Sequence, residues 1–209
     1  CSSSTRGLFG GGFSANSPDA LSGVAAITYV TIASLGNSQS FGDLTAGVRY
    51  PSATSSPIRG IFGGGRDTPN GNRNIISYVT IATTGDATDF GDLKYSPYGQ
   101  ASTGSSTRGL TMGGYNPAGS AAYDNIDYVT IASTGNAQDF GNLTVARGGL
   151  AATSNAVRGT FLGGATVPAN TNHIDYVTIA STGDALDFGD LYSSAGDASA
   201  CSDSHGGIS

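Results

Sequence analysis

Four near-copies of one unit follow each other along the chain, and this repetition constrains the fold more than any other feature. Each copy contains Tyr-Val-Thr-Ile-Ala, then a Gly-Asn or Gly-Asp pair, then Phe-Gly-(Asp/Asn)-Leu. The tyrosine always lies 12 residues before the phenylalanine, and in the first three units the phenylalanine lies 18 residues before the next Arg-Gly motif. A unit of about 49 residues at such fixed spacing predicts a repeat architecture in which each unit packs on the next.

Three kinds of side chain recur at fixed places in the unit, and we expect them to have structural roles. Each arginine is expected to pair with a carboxylate or with backbone carbonyl groups of a neighbouring unit. The alternative is that the arginines form a ring for an acidic ligand. The recurring residues are Arg6, Arg59, Arg108 and Arg158, then Tyr29, Tyr78, Tyr128 and Tyr176, then Phe41, Phe90, Phe140 and Phe188.

Each unit is predicted to form four short strands and no helix. Tyr-Val-Thr-Ile-Ala is β-branched and aromatic, with Val and Ile on one face. The Gly-Asn or Gly-Asp pair predicts a tight hairpin, and the next strand is expected to bulge at its glycine. The Arg-Gly strand, which ends in paired glycines, and a small-residue segment before it complete the four. We divide the single repeat domain 1–209 into units 1–53, 54–102, 103–152 and 153–200, with a partial fifth unit 201–209.

This order of strands resembles the kelch repeat. The glycine pair (Gly63-Gly64 in the second unit) and Tyr78 match the kelch pattern, whereas Phe90 stands where kelch repeats have tryptophan. The segment from Tyr128 to Leu143 is also similar to tandem repeats of large virion and tail-associated proteins of phages that infect aquatic bacteria. The resemblance implies an all-β, kelch-like β-propeller with four antiparallel strands per blade, and a virion or extracellular location.

The way in which such a ring closes stays open at the level of sequence. Residues 201–206 and residues 1–6 compete for one place if the ring closes with four blades. One alternative is that the segment 195–209 completes the first blade. The others are a part of a larger propeller, or an open stack that continues into neighbouring chains.

Only one step of the repeat varies in length, and it indicates where recognition takes place. The distance from the arginine to the tyrosine is 23, 19, 20 and 18 residues in the four units. Insertions in repeat proteins map to loops on one face, which is often the binding face, and here this loop lies beside the link to the next unit. The alternative is drift in unconstrained loops. The predicted ligand-binding residues on these loops are Phe13, Arg66, Arg73, Tyr115, Tyr123 and His173.

The two cysteines, Cys1 and Cys201, occupy the same phase of the repeat. As a disulfide they would staple the ends of a ring, which needs an oxidising compartment. As free thiols they would be small residues, since Thr54, Thr103 and Thr153 fill that phase elsewhere. Cys1 followed by three serines is also similar to a processed lipoprotein N-terminus.

Carboxylates at the Gly-Asp turn raise the alternative of a calcium site. Oxygen ligands clustered on a turn can bind calcium, but the spacing here matches neither an EF-hand nor a calcium-binding nonapeptide. Asx side chains also stabilise turns by bonding backbone amides, and we expect that role and no metal. The carboxylates concerned are Asp86, Asp89 and Asp92, with Asp184, Asp187 and Asp190 as their equivalents.

Composition and motifs together predict a non-enzymatic structural or binding protein. The net charge is −6 with a single lysine, Lys94, so the basic patch of a nucleic-acid binder is missing, as is any apolar run for membrane insertion. His173 and His205 have no partner at metal or triad spacing, so we expect no catalytic residues and no cofactor. The expected partners are other subunits of a virion or fibre and a cell-surface glycan or protein. The alternative function is a secreted bacterial adhesion or filament-forming repeat protein.

Overall fold

The structure is a computed structural model that describes residues 1–13, 22–67 and 71–202. All regular structure in these residues is β-strand, which confirms the predicted all-β class and the expected absence of helix from this part of the chain. The described residues accordingly include no helix with the length and apolar character to span a membrane.

The strands form four small antiparallel sheets, which follow one another along the chain. Within each sheet, the strands pair in the order in which they occur in the sequence, and in two sheets a short two-stranded ribbon is inserted between the second and third strands. Sheet I contains β1 (Arg6–Gly10), β2 (Val24–Thr31) and β3 (Gln39–Val48). Sheet II contains β4 (Ser52–Ser55), β5 (Arg59–Gly63), β8 (Ile75–Thr80) and β9 (Thr88–Asp92), and the ribbon β6 (Arg66–Asp67) with β7 (Gly71–Asn72) lies between β5 and β8 in sequence. Sheet III contains β10 (Ala101–Gly104), β11 (Arg108–Met112), β12 (Asn125–Thr130) and β13 (Gln138–Asn142). Sheet IV contains β14 (Ala151–Ser154), β15 (Arg158–Leu162), β18 (His173–Thr178) and β19 (Leu186–Asp190), with the ribbon β16 (Ala165–Thr166) and β17 (Ala169–Asn170).

Sheets II, III and IV have the four strands that the sequence predicts, and sheet I has three. In sheet I the small-residue segment is reduced to one isolated bridge between Ser2 and Gly7. The predicted bulge is confirmed, because the pairing of β8 with β9 shifts between Ile76 and Ser77, opposite the Phe-Gly of the repeat.

The prediction of a tight hairpin at the Gly-Asn or Gly-Asp pair is wrong. The connection between β8 and β9 spans residues 81–87, and its Gly85 reaches the neighbouring sheet instead of closing a two-residue turn. The amide of Gly85 donates to the Phe41 carbonyl at 2.8 Å, and the amide of Ala87 donates to the Asp43 carbonyl at 2.7 Å. The same two bonds recur between sheets II and III and between sheets III and IV, in the pairs Gly135 with Phe90, Ala137 with Asp92, Gly183 with Phe140 and Ala185 with Asn142.

The glycine of the Phe-Gly motif allows two sheets to come this close. A Cβ atom added to Gly91 would collide with the backbone of Gly135 in the next sheet, and Gly42 and Gly141 are in the same position. Gly91 also has a φ of 144°, which disfavours a side chain for a second reason. The sheets therefore touch through backbone at this point.

Apolar side chains form three cores, and each core lies between two successive sheets. In every core, side chains from one face of the preceding sheet pack against the Val and Ile side chains of the Tyr-Val-Thr-Ile segment of the following sheet. Between sheets I and II the core contains Leu8, Ile27, Phe41 and Leu44 on one side and Phe62, Val79 and Ile81 on the other. Since burial of apolar surface is the main favourable term in folding, each sheet is stabilised mainly by its neighbours.

Three of the four repeated arginines donate a hydrogen bond to a backbone carbonyl of the following sheet. The Nη1 atoms of Arg6, Arg59 and Arg108 donate to the carbonyls of Ile81, Ile131 and Ile179 at 2.9, 3.0 and 2.8 Å. Each guanidinium also lies over the tyrosine of its own sheet, 4.4 to 4.7 Å from the ring centroid across all four units. These contacts place Arg6, Arg59 and Arg108 between successive sheets, and Arg158 over Tyr176 of its own sheet.

In the described residues, one ion pair is completely buried. Arg147 lies in the link between sheets III and IV, and its partner Asp175 lies in sheet IV. Both side chains are inaccessible to solvent, and Nη1 of Arg147 lies 2.9 Å from Oδ2 of Asp175. Thr144 donates its hydroxyl to Oδ1 at 2.6 Å and its amide to Oδ2 at 3.2 Å. The carboxylate is therefore both charge-paired and hydrogen-bonded, which a buried charge requires.

Asp127 occupies the equivalent position in sheet III without such a partner. Pro97 stands where Arg147 stands in the next unit, and the amide of Lys94 is 3.4 Å from Oδ2 of Asp127. Oδ1 of Asp127 has no hydrogen bond within the described residues. Burial raises the pKa of the Asp127 carboxyl, an effect that the neighbouring Asn125 and Lys94 reduce.

Candidate functional site

At one end of the sheets, the link between two units pairs with the backbone that follows the glycine pair. We call this end the rim. Each pair exchanges two backbone hydrogen bonds of 2.7 to 3.3 Å. The rim therefore brings the variable loops and the variable links side by side. The pairs are Arg49 with Arg66, Tyr98 with Tyr115, and Gly148 with Ala165.

Tyr98 is the centre of an aromatic cluster on the rim. Its ring centroid lies 5.3 Å from that of Tyr115 and 6.3 Å from that of Tyr50, with interplanar angles of 42° and 46°. The guanidinium carbon of Arg66 lies 5.4 Å from the Tyr98 centroid. We call Tyr50, Tyr98, Tyr115 and Arg66 the tyrosine strip. It spans three successive sheets and combines aromatic faces with a cation.

Small residues around the strip make room for its rings. A Cβ atom on Gly148 would lie 2.7 Å from the ring of Tyr115, and one on Gly119 would lie 2.9 Å from the hydroxyl of Tyr98. Tyr50, by contrast, is 60% exposed, with a left-handed φ of 57°. The strip thus has two packed rings and one exposed ring.

Burial raises the pKa of the Tyr115 phenol, and the nearby charge of Asp197 and the Tyr98 side chain add to the effect. A phenol already ionises well above neutral pH, so an upward shift keeps Tyr115 protonated under physiological conditions. Its hydroxyl therefore remains available as a hydrogen-bond donor beside the strip.

A second aromatic pair lies on the link and loop of sheets II and III. Tyr95 and Tyr123 stack with centroids 5.0 Å apart and an interplanar angle of 17°. Nζ of Lys94 lies 5.5 Å from the Tyr95 centroid and 3.2 Å from a carboxylate oxygen of Asp139. The pair repeats the combination of tyrosine rings and one cation that the strip shows.

The predicted ligand-binding residues divide between these clusters and other places. Arg66 and Tyr115 belong to the strip, and Tyr123 belongs to the second pair. Arg73 pairs with Asp67 in its own loop at 3.1 Å. Phe13 is exposed and bridges Gly23, and Nδ1 of His173 is 3.9 Å from a carboxylate oxygen of Asp190, so the contacts of these two lie outside the strip.

Three rim tyrosines were missed by sequence reasoning, namely Tyr50, Tyr95 and Tyr98. All three lie in the links between units, which vary in sequence as the loops do. The signal that could have found them is a tyrosine at nearly the same stage of two successive links, since Tyr50 lies 9 residues after Phe41 and Tyr98 lies 8 residues after Phe90.

The first strands of sheets II, III and IV, together with residues 1–2 and 200–202, line a cavity of about 280 Å³ with small side chains. Cys1 and Cys201 both border it, and both are free thiols. A Cβ atom on Gly60 would lie 2.8 Å from the sulfur of Cys1, and one on Gly109 would lie 2.8 Å from the methyl group of Thr54. Cys1 therefore packs as the threonines of the same phase do, and the structure does not form the disulfide alternative.

The carboxylates at the Gly-Asp turn bond the preceding sheet. Oδ1 of Asp86 accepts a hydrogen bond from the Asp43 amide at 3.0 Å, and Oδ1 of Asp184 accepts one from the Asn142 amide at 2.9 Å. Asn136 does the same for Asp92 at 3.1 Å. Within the described ranges, no group of three or more His, Cys, Asp or Glu side chains could hold a metal ion.

No model of a known protein family matches the chain, and no curated protein matches it. The assignment of a function therefore depends on the geometry of the rim and on the way in which the sheets pack.

Proposed function

We propose that the chain is a non-enzymatic recognition and structural module of an extracellular assembly, a virion or phage tail, and that its rim binds a glycan on the host-cell surface. The observation that carries the proposal is the tyrosine strip. The location rests on the resemblance of the repeat to those of virion and tail-associated proteins.

Tyrosine rings and an arginine suit a sugar ligand for physical reasons. A tyrosine supplies a large, rigid and amphipathic contact surface at a low cost in conformational entropy. The apolar C–H face of a sugar can lie on such a ring, while Arg66 and the phenol of Tyr115 donate to hydroxyl or carboxylate oxygens. Because backbone bonds already fix Tyr98 beside Tyr115, little order has to be created on binding.

We also propose that the four sheets are blades of a kelch-like β-propeller. Successive meander sheets that bury their faces against each other support this architecture. The first strands of neighbouring sheets lie close together, since Ser102 Oγ donates to Ser52 Oγ and Ser154 Oγ donates to the Gly104 carbonyl, both at 2.7 Å. The small side chains of the inner cavity support a packing role for the centre and recognition at the rim.

Replacement of Tyr98 by alanine is expected to weaken binding to host cells by roughly tenfold or more, because it removes the central ring of the strip. Tyr98→Phe keeps the ring and is expected to keep most of the affinity. The measurement is binding of the purified chain to a panel of bacterial surface polysaccharides and to whole cells, by biolayer interferometry and flow cytometry.

Ile58→Ala is the matched control, since Ile58 is exposed in the turn between β4 and β5, at the opposite end of the sheet from the rim. Its binding should equal that of the wild type. Cells treated with periodate lose glycan ligands, and cells treated with protease lose protein ligands. Retained binding by Tyr98→Ala, or binding that only protease removes, would contradict the proposed glycan site.

A further inference from the structure

We propose that the two outer sheets carry complementary faces, and that sheet I of a second copy of this chain packs on sheet IV of the first, head to tail. The inference rests on the packing of the repeat and is independent of glycan binding. It concerns the face of sheet I that points away from sheet II, here called the leading face, and the face of sheet IV that points away from sheet III, here called the trailing face.

The leading face is apolar and exposed. Ile32 is 53% exposed, whereas each of its equivalents in the other sheets is 1% exposed. Phe9 is 62% exposed, whereas its equivalents Phe62 and Phe161 are buried against the preceding sheet. The difference arises because, among the sheets of the described residues, sheet I has no other sheet packed on this face. The equivalents of Ile32 are Ile81, Ile131 and Ile179.

The trailing face shows the same contrast. Phe188 is 54% exposed, whereas the phenylalanines of the other three units are at most 3% exposed. A Cβ atom on Gly189 would meet no atom within 4 Å, whereas one on Gly141 would collide with the next sheet. In the part of the chain that the structure describes, no sheet covers this face of sheet IV, whereas a following sheet covers the same face of its three counterparts.

The two faces match because every internal joint of the chain joins the same two surfaces. A second copy could repeat each inter-sheet bond with the residues at the ends. The expected bonds are Gly36 amide to Phe188 carbonyl, Ser38 amide to Asp190 carbonyl, Asp190 amide to Asn37 Oδ1, and Arg158 Nη1 to Ile32 carbonyl, by analogy with the observed joints. The internal joints of the chain therefore show how each of these two faces packs against its partner surface.

The leading and trailing faces each carry a leucine at a position where the other units have a polar residue, and both leucines would flank the proposed contact between two copies. Leu35 precedes the turn glycine of sheet I, where the other three units have threonine. Leu186 lies two residues before Phe188, where the other units have glutamine or threonine. Both leucines are largely exposed. Exposed leucines that occur only on the two outer sheets favour an interface on these sheets.

One overlap has to be resolved in the joint. Residues 199–202 have the same phase as β4 of sheet II, and residues 1–2 have part of that phase in sheet I. Cys1 packs against Gly60 within its own chain, whereas residues 199–202 are exposed. We therefore expect residues 199–202 to give up their place when the second copy packs.

A contact of this kind is heterologous, so each copy uses a different face toward each neighbour. Two copies with four sheets each would place eight sheets in succession, which is within the range of four to eight blades seen in propellers. Such copies either close into a ring or continue as a fibre.

The test uses one variant for each face and the mass of the complex as readout. Phe188→Asp disables the trailing face, and Ile32→Asp disables the leading face. Both positions are more than half exposed, so folding should be retained, which circular dichroism checks. Ile58→Asp is the control, because Ile58 is exposed in the turn between β4 and β5 of sheet II, and this sheet is covered on both faces. Sedimentation velocity is recorded across a roughly hundredfold range of chain concentration.

We expect the wild type and Ile58→Asp to form assemblies of two or more copies, and each single-face variant to associate at least about 30-fold more weakly. An equimolar mixture of Phe188→Asp and Ile32→Asp should form a complex of two chains, because one intact face of each kind remains. A wild type that stays monomeric throughout, a mixture that stays monomeric, or association that both substitutions leave unchanged would overturn the proposal.

Discussion

Replacement of Phe140 by alanine is expected to lower the free energy of unfolding by about 3–5 kcal/mol, the usual loss for a buried phenylalanine. Its side chain is 2% exposed in the core between sheets III and IV. The ring also makes an edge contact with Tyr128, with centroids 6.0 Å apart at 79°. Alanine would leave a cavity that the backbone hydrogen bonds between sheets III and IV prevent from closing.

The same substitution at Phe188 provides a matched control within one chain. Phe188 has the same tyrosine contact, with Tyr176 at 5.9 Å and 80°, but no sheet covers its other side. We expect a loss of about 1 kcal/mol, since little apolar surface is returned to water. Both variants are compared by urea unfolding at a chain concentration where the protein is monomeric. Unfolding is followed through tyrosine fluorescence, because the chain contains no tryptophan. Equal losses at the two positions would contradict the unequal burial.

The sequence predicted the parts of the fold that depend on local pattern. The spacing of tyrosine, phenylalanine and arginine located the strands of each unit, because β-branched and aromatic runs between glycine turns have few other structures available. The bulge in the Phe-Gly strand followed from the three-residue step between Phe90 and Leu93, which the strict two-residue alternation of a strand cannot accommodate.

Contacts between sheets were harder to predict, because they join residues from 31 to 75 positions apart in the sequence. The Gly-Asp pair at Gly85 matched a local hairpin signal, yet its role is to bond Phe41 in the preceding sheet. The turn preference of glycine and aspartate is the same in both cases, so the local pattern does not separate them. Tyr50 and Tyr98 likewise meet only because two successive links lie side by side on the rim.

Replacement of Asp175 by asparagine is expected to lower the free energy of unfolding by about 3–5 kcal/mol at neutral pH. The change leaves the guanidinium of Arg147 buried without its counter-charge, and the Arg147 side chain is inaccessible to solvent. The hydrogen bond that Arg147 makes to the Phe161 carbonyl, 3.3 Å long, does not supply a negative charge. Urea unfolding at pH 7 measures the loss.

The same substitution at the equivalent Asp127 should have the opposite sign. Asp127 is buried with no arginine beside it, and burial raises the pKa of its carboxyl above the unfolded value. A carboxyl whose pKa is raised on folding favours the folded state below the unfolded pKa, and this contribution is lost as the pH rises through the folded pKa. Asp127→Asn removes a buried charge at neutral pH and is expected to raise the free energy of unfolding by about 1–2 kcal/mol.

The pH dependence separates this effect from a general change in packing. A pH of 3.5 lies just below the pKa of an ordinary aspartate, so the carboxyl of Asp127 is mostly protonated in the unfolded chain and largely protonated in the folded chain. The stability advantage of Asp127→Asn over the wild type should therefore largely vanish at this pH. Urea unfolding of both proteins at pH 7.5 and pH 3.5 gives the comparison. A gain that is the same at both pH values, or a loss at neutral pH similar to that of Asp175→Asn, would mean that Asp127 is held as a satisfied carboxylate. With the expected signs, one repeat position carries a stabilising charge where Arg147 is present and a destabilising charge where Pro97 replaces it.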